Sequence, residues 1–540
     1  MARGRRGRTG SAGPDGASQP AEASPAGTPR SCRGRCCRGA DHRHCGGDER
    51  RNREGQGAGG SPPEGEATAA AEEAGTGPIA DPVRRAAHLL RRAGFGGTPG
   101  EIAEFASLTP EEAADRLVDF EGTDNAALEQ RITRANFNLT RLRGGDGRPG
   151  MASDMRAWWL TRMAYTSRPL EERMTLIWHG LLTSELGKLG IPRTKFMLIQ
   201  NELFRRMALP RYDDLLKAIS RDPAMMVYLD TIQSSAAHPN ENYARELMEL
   251  FSMGEGNYTE QDVREAARAF TGWRLTAPPR VQLPEGASEA ERRAAQDAAA
   301  EAYEPEFVIQ PRLQDRGMKT FLGKTGPFGG DEIIDIIMSH DAPSRFIPVR
   351  LFREFAHANP GPETVTWLAE VWNGSGHDIR EVVRAILKSA EFNSEAAYRA
   401  KIKSPVEFVV GAVRGLELET DFRATLRFWG PMGQTLFQPP NVAGWPGGPA
   451  WLASATFFAR LNFLDAFLFP RGRPLRVEAL LAREDAAGMV DEALRRLVDG
   501  VMSDGARGAL VAHAESIRDP VERAATVAYL VLASPEYQLA

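Results

Sequence analysis

The residues with the most chemistry per position lie between His238 and Arg274, in HPNENYARELMELFSMGEGNYTEQDVREAARAFTGWR. Asn242, Glu246 and Glu249 fall at i, i+4 and i+7, on one stripe of a helix. Two carboxylates a turn apart can act as acid and base, or hold a divalent metal. Asp230, closing DPAMMVYLD just before, is a candidate third carboxylate. His179 sits inside MTLIWHGLL, where an imidazole is either a neutral core residue or a base reaching a cavity. A catalytic reading therefore takes His179 as base, with Asp230, Glu246 and Glu249 orienting it or holding a metal. Against it stands a half-solvated acidic face with structural ion pairs, which are common and contribute little. No Glu-x-x-His accompanies the carboxylates, so the di-iron helix pattern is missing and no metal ligand is assigned.

A second set points to binding. Residues 432–451, MGQTLFQPPNVAGWPGGPAW, are too rich in Pro and Gly to be helical. They carry Gln434, Gln438, Asn441, Trp445 and Trp451, amide and aromatic groups suited to sugar or peptide recognition. Long loops without regular structure often carry function, and the alternative is an ordered wrap plugged by tryptophan. In the central stretch Asn240, Glu241, Asn242, Arg245 and Trp273 are further binding candidates. The chain contains no G-x-S-x-G, no H-E-x-x-H and no P-loop motif, and the foldable part has no cysteine nucleophile.

The elements that must position these groups read as helices with marked ends. Asn240 can cap the first central helix, which buries Tyr243, Leu247, Leu250 and Phe251, and Gly254 and Gly256 end it. Thr259 to Asp262 is close to a capping box, with Asp reaching less far than Glu. Thr98-Pro-Gly-Glu101, Thr109-Pro-Glu-Glu112 and Ser404-Pro-Val-Glu407 are full boxes with Pro at the first helical position. A long polar-faced helix is expected over 125–143, and the helix after Pro169 is apolar nearly all round, hence central. Phe307-Val-Ile and Lys319-Thr-Phe-Leu could pair across Gln314-Asp-Arg-Gly317 as a small hairpin near 306–322. The fold class is all-α: one large multi-helix domain over 79–540, with an exposed helical insertion over 276–305.

Composition bounds the function. A 540-residue chain with 42% hydrophobic residues can bury a sizeable core, and a net charge of −5 with pI near 6.1 gives no reason to expect nucleic acid. No apolar run approaches the roughly 18 residues needed to span a bilayer. Residues 1–78 are Arg, Gly, Pro and Ala with almost no large apolar residue, and are expected to be disordered. All four cysteines, Cys32, Cys36, Cys37 and Cys45, lie there beside His42 and His44, with a spacing that fits no standard zinc knuckle. The pair Arg5-Arg6 lacks the apolar segment of a twin-arginine signal. A cytoplasmic location is expected, or export if translation starts elsewhere.

The central stretch also resembles the bacterial domain-of-unknown-function family numbered 1800. HLLRRAGFGGTPGEI from His88, MTLIWHGLL, DPAMMVYLD, KTFLGKTG from Lys319 and MGQTLFQPPNVAGWPGG agree with it, over roughly residues 81–540. The resemblance implies an all-helical bacterial protein of unestablished activity, with Trp-His shared at Trp178-His179. It also implies a partner, a protein of the unknown-function family numbered 1501. It departs at Gln314-Asp315, where the family pattern reads His-Asp. The cofactor is left open. The expectation is a binding or assembly protein acting with a partner, at the cell envelope in one version, and otherwise a hydrolase-like enzyme with a His/carboxylate site.

Overall fold

The computed structural model describes residues 77–145, 149–283 and 285–540. The cysteine-bearing tail, with its expected disorder and zinc knuckle, lies outside the described residues, as does the tip of the 144–150 loop.

Helix starts follow from local chemistry. Thr98, Thr109 and Ser404 each accept the N–H of a glutamate three residues on, and that glutamate's carboxylate accepts the cap residue's own N–H. Thr259 and Asp262 close the same box despite the shorter side chain. Asp262 also accepts from the Leu322 N–H at 2.8 Å, which ties a distant loop to the helix start. Asn240 Oδ1 accepts the Asn242 N–H at 2.9 Å and opens Asn242–Glu249. The helix expected over 125–143 stops early, as Ala126–Ala135. Asn136 enters the left-handed region at φ 48°, and its N–H caps the Ile132 carbonyl. Asn tolerates that conformation, so the stop is encoded in one residue.

Among the described residues there are 24 α-helices against four strands of three residues each, so the fold is all-α. No helix there is long and apolar enough to cross a membrane. The apolar side chains gather into two cores. One holds Leu89, Leu216, Leu247, Ile337 and Leu387. The other holds Trp159, Val409, Phe463 and Val531. Helix Pro169–Leu181 serves both, sending Met174 and Trp178 into the first and Leu176 into the second.

The strands β1 (Trp273–Leu275), β2 (Phe307–Ile309), β3 (Lys319–Phe321) and β4 (Lys324–Gly326) form two antiparallel pairs. The two segments expected to pair with each other are both strands, but each takes another partner. β2 lies on β1, with Trp273 opposite Ile309, and β3 turns back directly onto β4. The expected turn is otherwise engaged, because Asp315 there receives Arg268 Nε at 2.8 Å and the Gly317 N–H at 2.8 Å. Between β1 and β2 the chain makes helix Glu289–Ala302, which has no buried residue.

The two cores are joined by a buried ionic clamp. Glu172, in the first turn of helix Pro169–Leu181, is fully buried. It accepts from Trp159 Nε1 at 2.9 Å, Arg162 Nε at 2.7 Å, and Arg205 Nε and Nη2 at 2.7 and 3.0 Å. Burial alone would raise this carboxyl, but Arg205 and Arg162 outweigh it and hold the pKa at about 2. Replacing the charge leaves two buried guanidiniums with only their more exposed second partners, Glu129 and Glu202, which costs more than losing a surface pair. Glu172→Gln is expected to lower unfolding free energy by about 3–5 kcal/mol in urea titration; a loss below about 1 kcal/mol would show that the clamp does not hold the cores together.

Candidate functional site

The acidic face of the central stretch is tied up locally. Asp230 sits at φ 58° and accepts from Lys188 Nζ at 2.9 Å and Gln233 Nε2 at 3.1 Å, with the Asn242 amide at 3.4 Å. Glu249 accepts from the Tyr258 hydroxyl at 3.0 Å. Glu246 is half-buried, and burial first, then the neighbouring Glu249, raises its carboxyl. Arg245 reaches Glu260 at 2.6 Å and Glu241 at 3.4 Å. Trp273 is buried on β1, edge-on to Phe270 at 5.0 Å, within the core. Among the described residues no three His, Cys, Asp or Glu side chains come together as a metal site.

His179 lies elsewhere. No hydrogen bond or ion pair joins it to Asp230, Glu246 or Glu249. It is buried between Trp159, Phe437 and Trp445, at ring distances of 5.4, 5.4 and 5.5 Å. Its Nε2 accepts the Phe437 N–H at 3.1 Å, so the ring is neutral with its proton on Nδ1. Burial holds its pKa down at about 3. The imidazole therefore acts as an anchor for the 432–451 loop.

The rest of that loop docks onto the end of the same helix. The Leu186 N–H donates to the Phe437 carbonyl at 2.9 Å, and the Thr183 hydroxyl to the Val442 carbonyl at 2.5 Å. Gly444 is at φ 86°, and a Cβ there would collide with the Gly180 carbonyl oxygen, so only glycine lets the two backbones touch. The loop's amide oxygens are spent on the protein itself. Gln434 Oε1 accepts the Val406 N–H at 3.1 Å, Gln438 accepts from Arg156 Nη2 at 2.9 Å, and Asn441 accepts the Ala443 N–H at 2.9 Å. Of the loop's candidates, Gln434 and Trp445 also line a cavity, and Trp451 joins them.

This cavity, of about 520 Å³, lies where the loop spans helices Pro169–Leu181 and Ala342–Phe355 and the 400–407 segment. Arg173, Leu176, Ile177, Gly180 and Leu181 form its wall on the first helix, the stripe beside the one that carries Glu172 and His179. Four cationic side chains line it, Arg173, Arg350, Arg353 and Lys401, against two carboxylates, Glu354 and Glu407. Both carboxylates are engaged. Arg173 reaches Glu407 at 2.6 Å and Glu354 at 3.6 Å, and Lys401 reaches Glu354 at 2.9 Å. Burial would raise Glu407, but Arg173 and Lys401 hold it at about 2. For Glu354 burial likewise pulls upward, and Lys401 and Arg173 win, so its pKa is lowered. Neither carboxyl is a proton donor near neutral pH.

Sequence reasoning placed none of these six charged residues in a site, and read Glu407 only as a helix cap. The signal was present in IPVRLFREF, where Arg350 and Arg353 interrupt an apolar stripe, and in Arg173 within a helix buried almost all round. A charge in such a setting needs a partner or an opening.

A family model described as "Protein of unknown function (DUF1800)" matches residues 88–539. Among curated proteins and among solved structures, none matches the chain.

The neutral imidazole makes stability depend on pH. Its folded pKa lies below its unfolded value of 6.5, so the unfolded chain takes up a proton first as pH falls. The contribution is intact above pH 6.5 and erodes from there down to about 3. Glu172 and Glu407, lowered from 4.5, add their loss only below pH 4.5. Buried His88, also lowered, shares the upper window. Between pH 6.5 and 4.5 His179 by itself is expected to take away about 2–3 kcal/mol, while Asp222, whose carboxyl burial raises to about 7, returns stability over the same window. Urea midpoints of His179→Gln are expected to show a visibly flatter slope in that window, and an unchanged slope would mean His179 is protonated in the fold.

Proposed function

The chain belongs to the DUF1800 family of proteins of unknown function, and on that premise we propose that it is a binding protein whose small ligand occupies the cavity beneath the 432–451 loop. The observation that carries the reading is the cavity itself, with two tryptophans and both of its carboxylates locked in ion pairs. Its volume is within the range of small-molecule sites, and its mixed apolar and polar lining suits recognition. A hydrolase needs an acid or base with a proton to give or take in reach of the substrate. Glu354 and Glu407 are held ionised by cations, and His179 gives its lone pair to the Phe437 N–H. This supports binding over the His/carboxylate enzyme. A partner from the family numbered 1501, and a place at the cell envelope, belong to the same proposal as the setting in which the ligand is received.

The test is ligand recovery. Full-length protein purified under native conditions is analysed by native mass spectrometry and then denatured to release bound small molecules. A stoichiometric compound, unchanged after prolonged incubation and lost from Trp445→Ala, is expected. Equal recovery from Trp445→Ala, or conversion of the compound to a product, would sink the reading.

A further inference from the structure

We infer that the ligand is a small organic acid whose carboxylate or phosphate group is taken by Arg350 and Arg353, with its body against Trp445 and Trp451. This rests on the binding reading above and gives it a chemical class. The cavity holds four cationic groups and two carboxylates, and the carboxylates are already divided between Arg173 and Lys401. Arg350 and Arg353 are left over. Arg350 spends one N–H on the Leu250 carbonyl at 3.3 Å, and Arg353 gives its Nε to the Ala358 carbonyl at 3.0 Å. Among the described residues neither has a carboxylate within ion-pair distance.

The two arginines are three residues apart on helix Ala342–Phe355, and both face the cavity. Arg350 is half-buried inside it, and Arg353 is exposed at its rim. A guanidinium drawn partly out of water without a counter-charge is unfavourable, and burial does lower the pKa of Arg350. An oxyanion removes that penalty, since guanidinium forks match carboxylate and phosphate oxygens two at a time. Two residues of the same lining also hold unpaired donors. Trp451 Nε1 and Arg173 Nε are buried and have no partner among the described residues, and Arg173 as a whole is almost fully buried. A cationic ligand would meet no unpaired carboxylate here, and a neutral one would leave both arginines unmatched. Leu176, Ile177 and Ile402 complete an apolar flank for the ligand's body beside the indoles.

The experiment uses the full chain and probes matched in shape but not in charge: benzoate with benzamide, glucuronate with glucose, and glucose 6-phosphate with glucose. Inorganic phosphate is added to separate a bare oxyanion from one with a body. Binding is read by calorimetry and by thermal shift, for wild type, Arg350→Gln/Arg353→Gln, Trp445→Ala and the exposed control Arg476→Gln. At least one acid is expected to bind where its neutral counterpart does not, more tightly than inorganic phosphate. The double variant should weaken it about tenfold or more, and Arg476→Gln should leave it unchanged. Without ligand the double variant should melt only slightly below wild type, since it loses the hydrogen bonds to the Leu250 and Ala358 carbonyls but no ion pair. Whichever of the carboxylates or the phosphate binds tighter identifies the group. Neutral probes binding as well as acids, or acids binding the double variant undiminished, overturn the charge assignment. If Trp445→Ala still abolishes that binding, the cavity reading survives. If no probe binds and ligand recovery finds an uncharged compound, the charge assignment falls alone; if recovery finds nothing, both fall.

Discussion

A single buried carboxylate, Glu172, sets the geometry on which the molecule relies. It is desolvated completely and held ionised by two arginines from two other helices, with a tryptophan N–H completing the shell. Such an arrangement tolerates little displacement, because every donor lost leaves a charge stranded in apolar surroundings. Trp159 touches both Glu172 and His179, seven residues apart on one side of helix Pro169–Leu181. The clamp therefore fixes the rotation of that helix, and with it the direction in which Arg173, Ile177 and Gly180 point. These three recur at i, i+4 and i+7, and they form one wall of the cavity.

The long loop depends on that fixed helix end. It has no regular structure to hold its shape, so it borrows shape from its support: an imidazole lone pair for the Phe437 N–H, a hydroxyl for the Val442 carbonyl, and a bare backbone at Gly180 for Gly444. Loop and cavity are thus one construction, and the residue that looked like a catalytic base is the peg on which the cover hangs. Its three aromatic neighbours keep water away, which maintains the neutral form needed to accept the hydrogen bond.

What could be read in the sequence was mostly what short-range chemistry decides. Capping boxes at Thr98, Thr109, Thr259 and Ser404 depend on residues three apart, and all are present. The buried stripe of Tyr243, Leu247 and Phe251 follows from period alone. Helix class and the strand-forming segments were legible for the same reason. Strand partners were not, because pairing is chosen by what the intervening chain does, and Asp315 is committed to Arg268. The site was harder still. Glu407 was visible as a cap for Ser404, yet its second role, facing Arg173 across 234 residues of chain, leaves no local trace. Arg350 and Arg353 were overshadowed by the apolar stripe of Ile347, Leu351, Phe352 and Phe355 in which they sit. Carboxylates in a conspicuous row drew the eye to Glu246 and Glu249, whereas the cavity is built from charges scattered along the chain.

The pairing of β1 with β2 has a consequence for how this protein can change over generations. The chain leaves the body at Leu275 and re-enters at Phe307, directly opposite, and the Tyr303 hydroxyl bonds to the Thr276 carbonyl just outside. The two stems of the excursion are therefore pinned side by side, whatever lies between them. Loop closure grows costlier only with the logarithm of length, about 0.6 kcal/mol for each doubling. Apart from the contacts of Asp297 and Glu301 with Arg143 and Leu142, the segment is thus free to be expanded, trimmed or recomposed, and to acquire new surface, without disturbing the cavity on other helices.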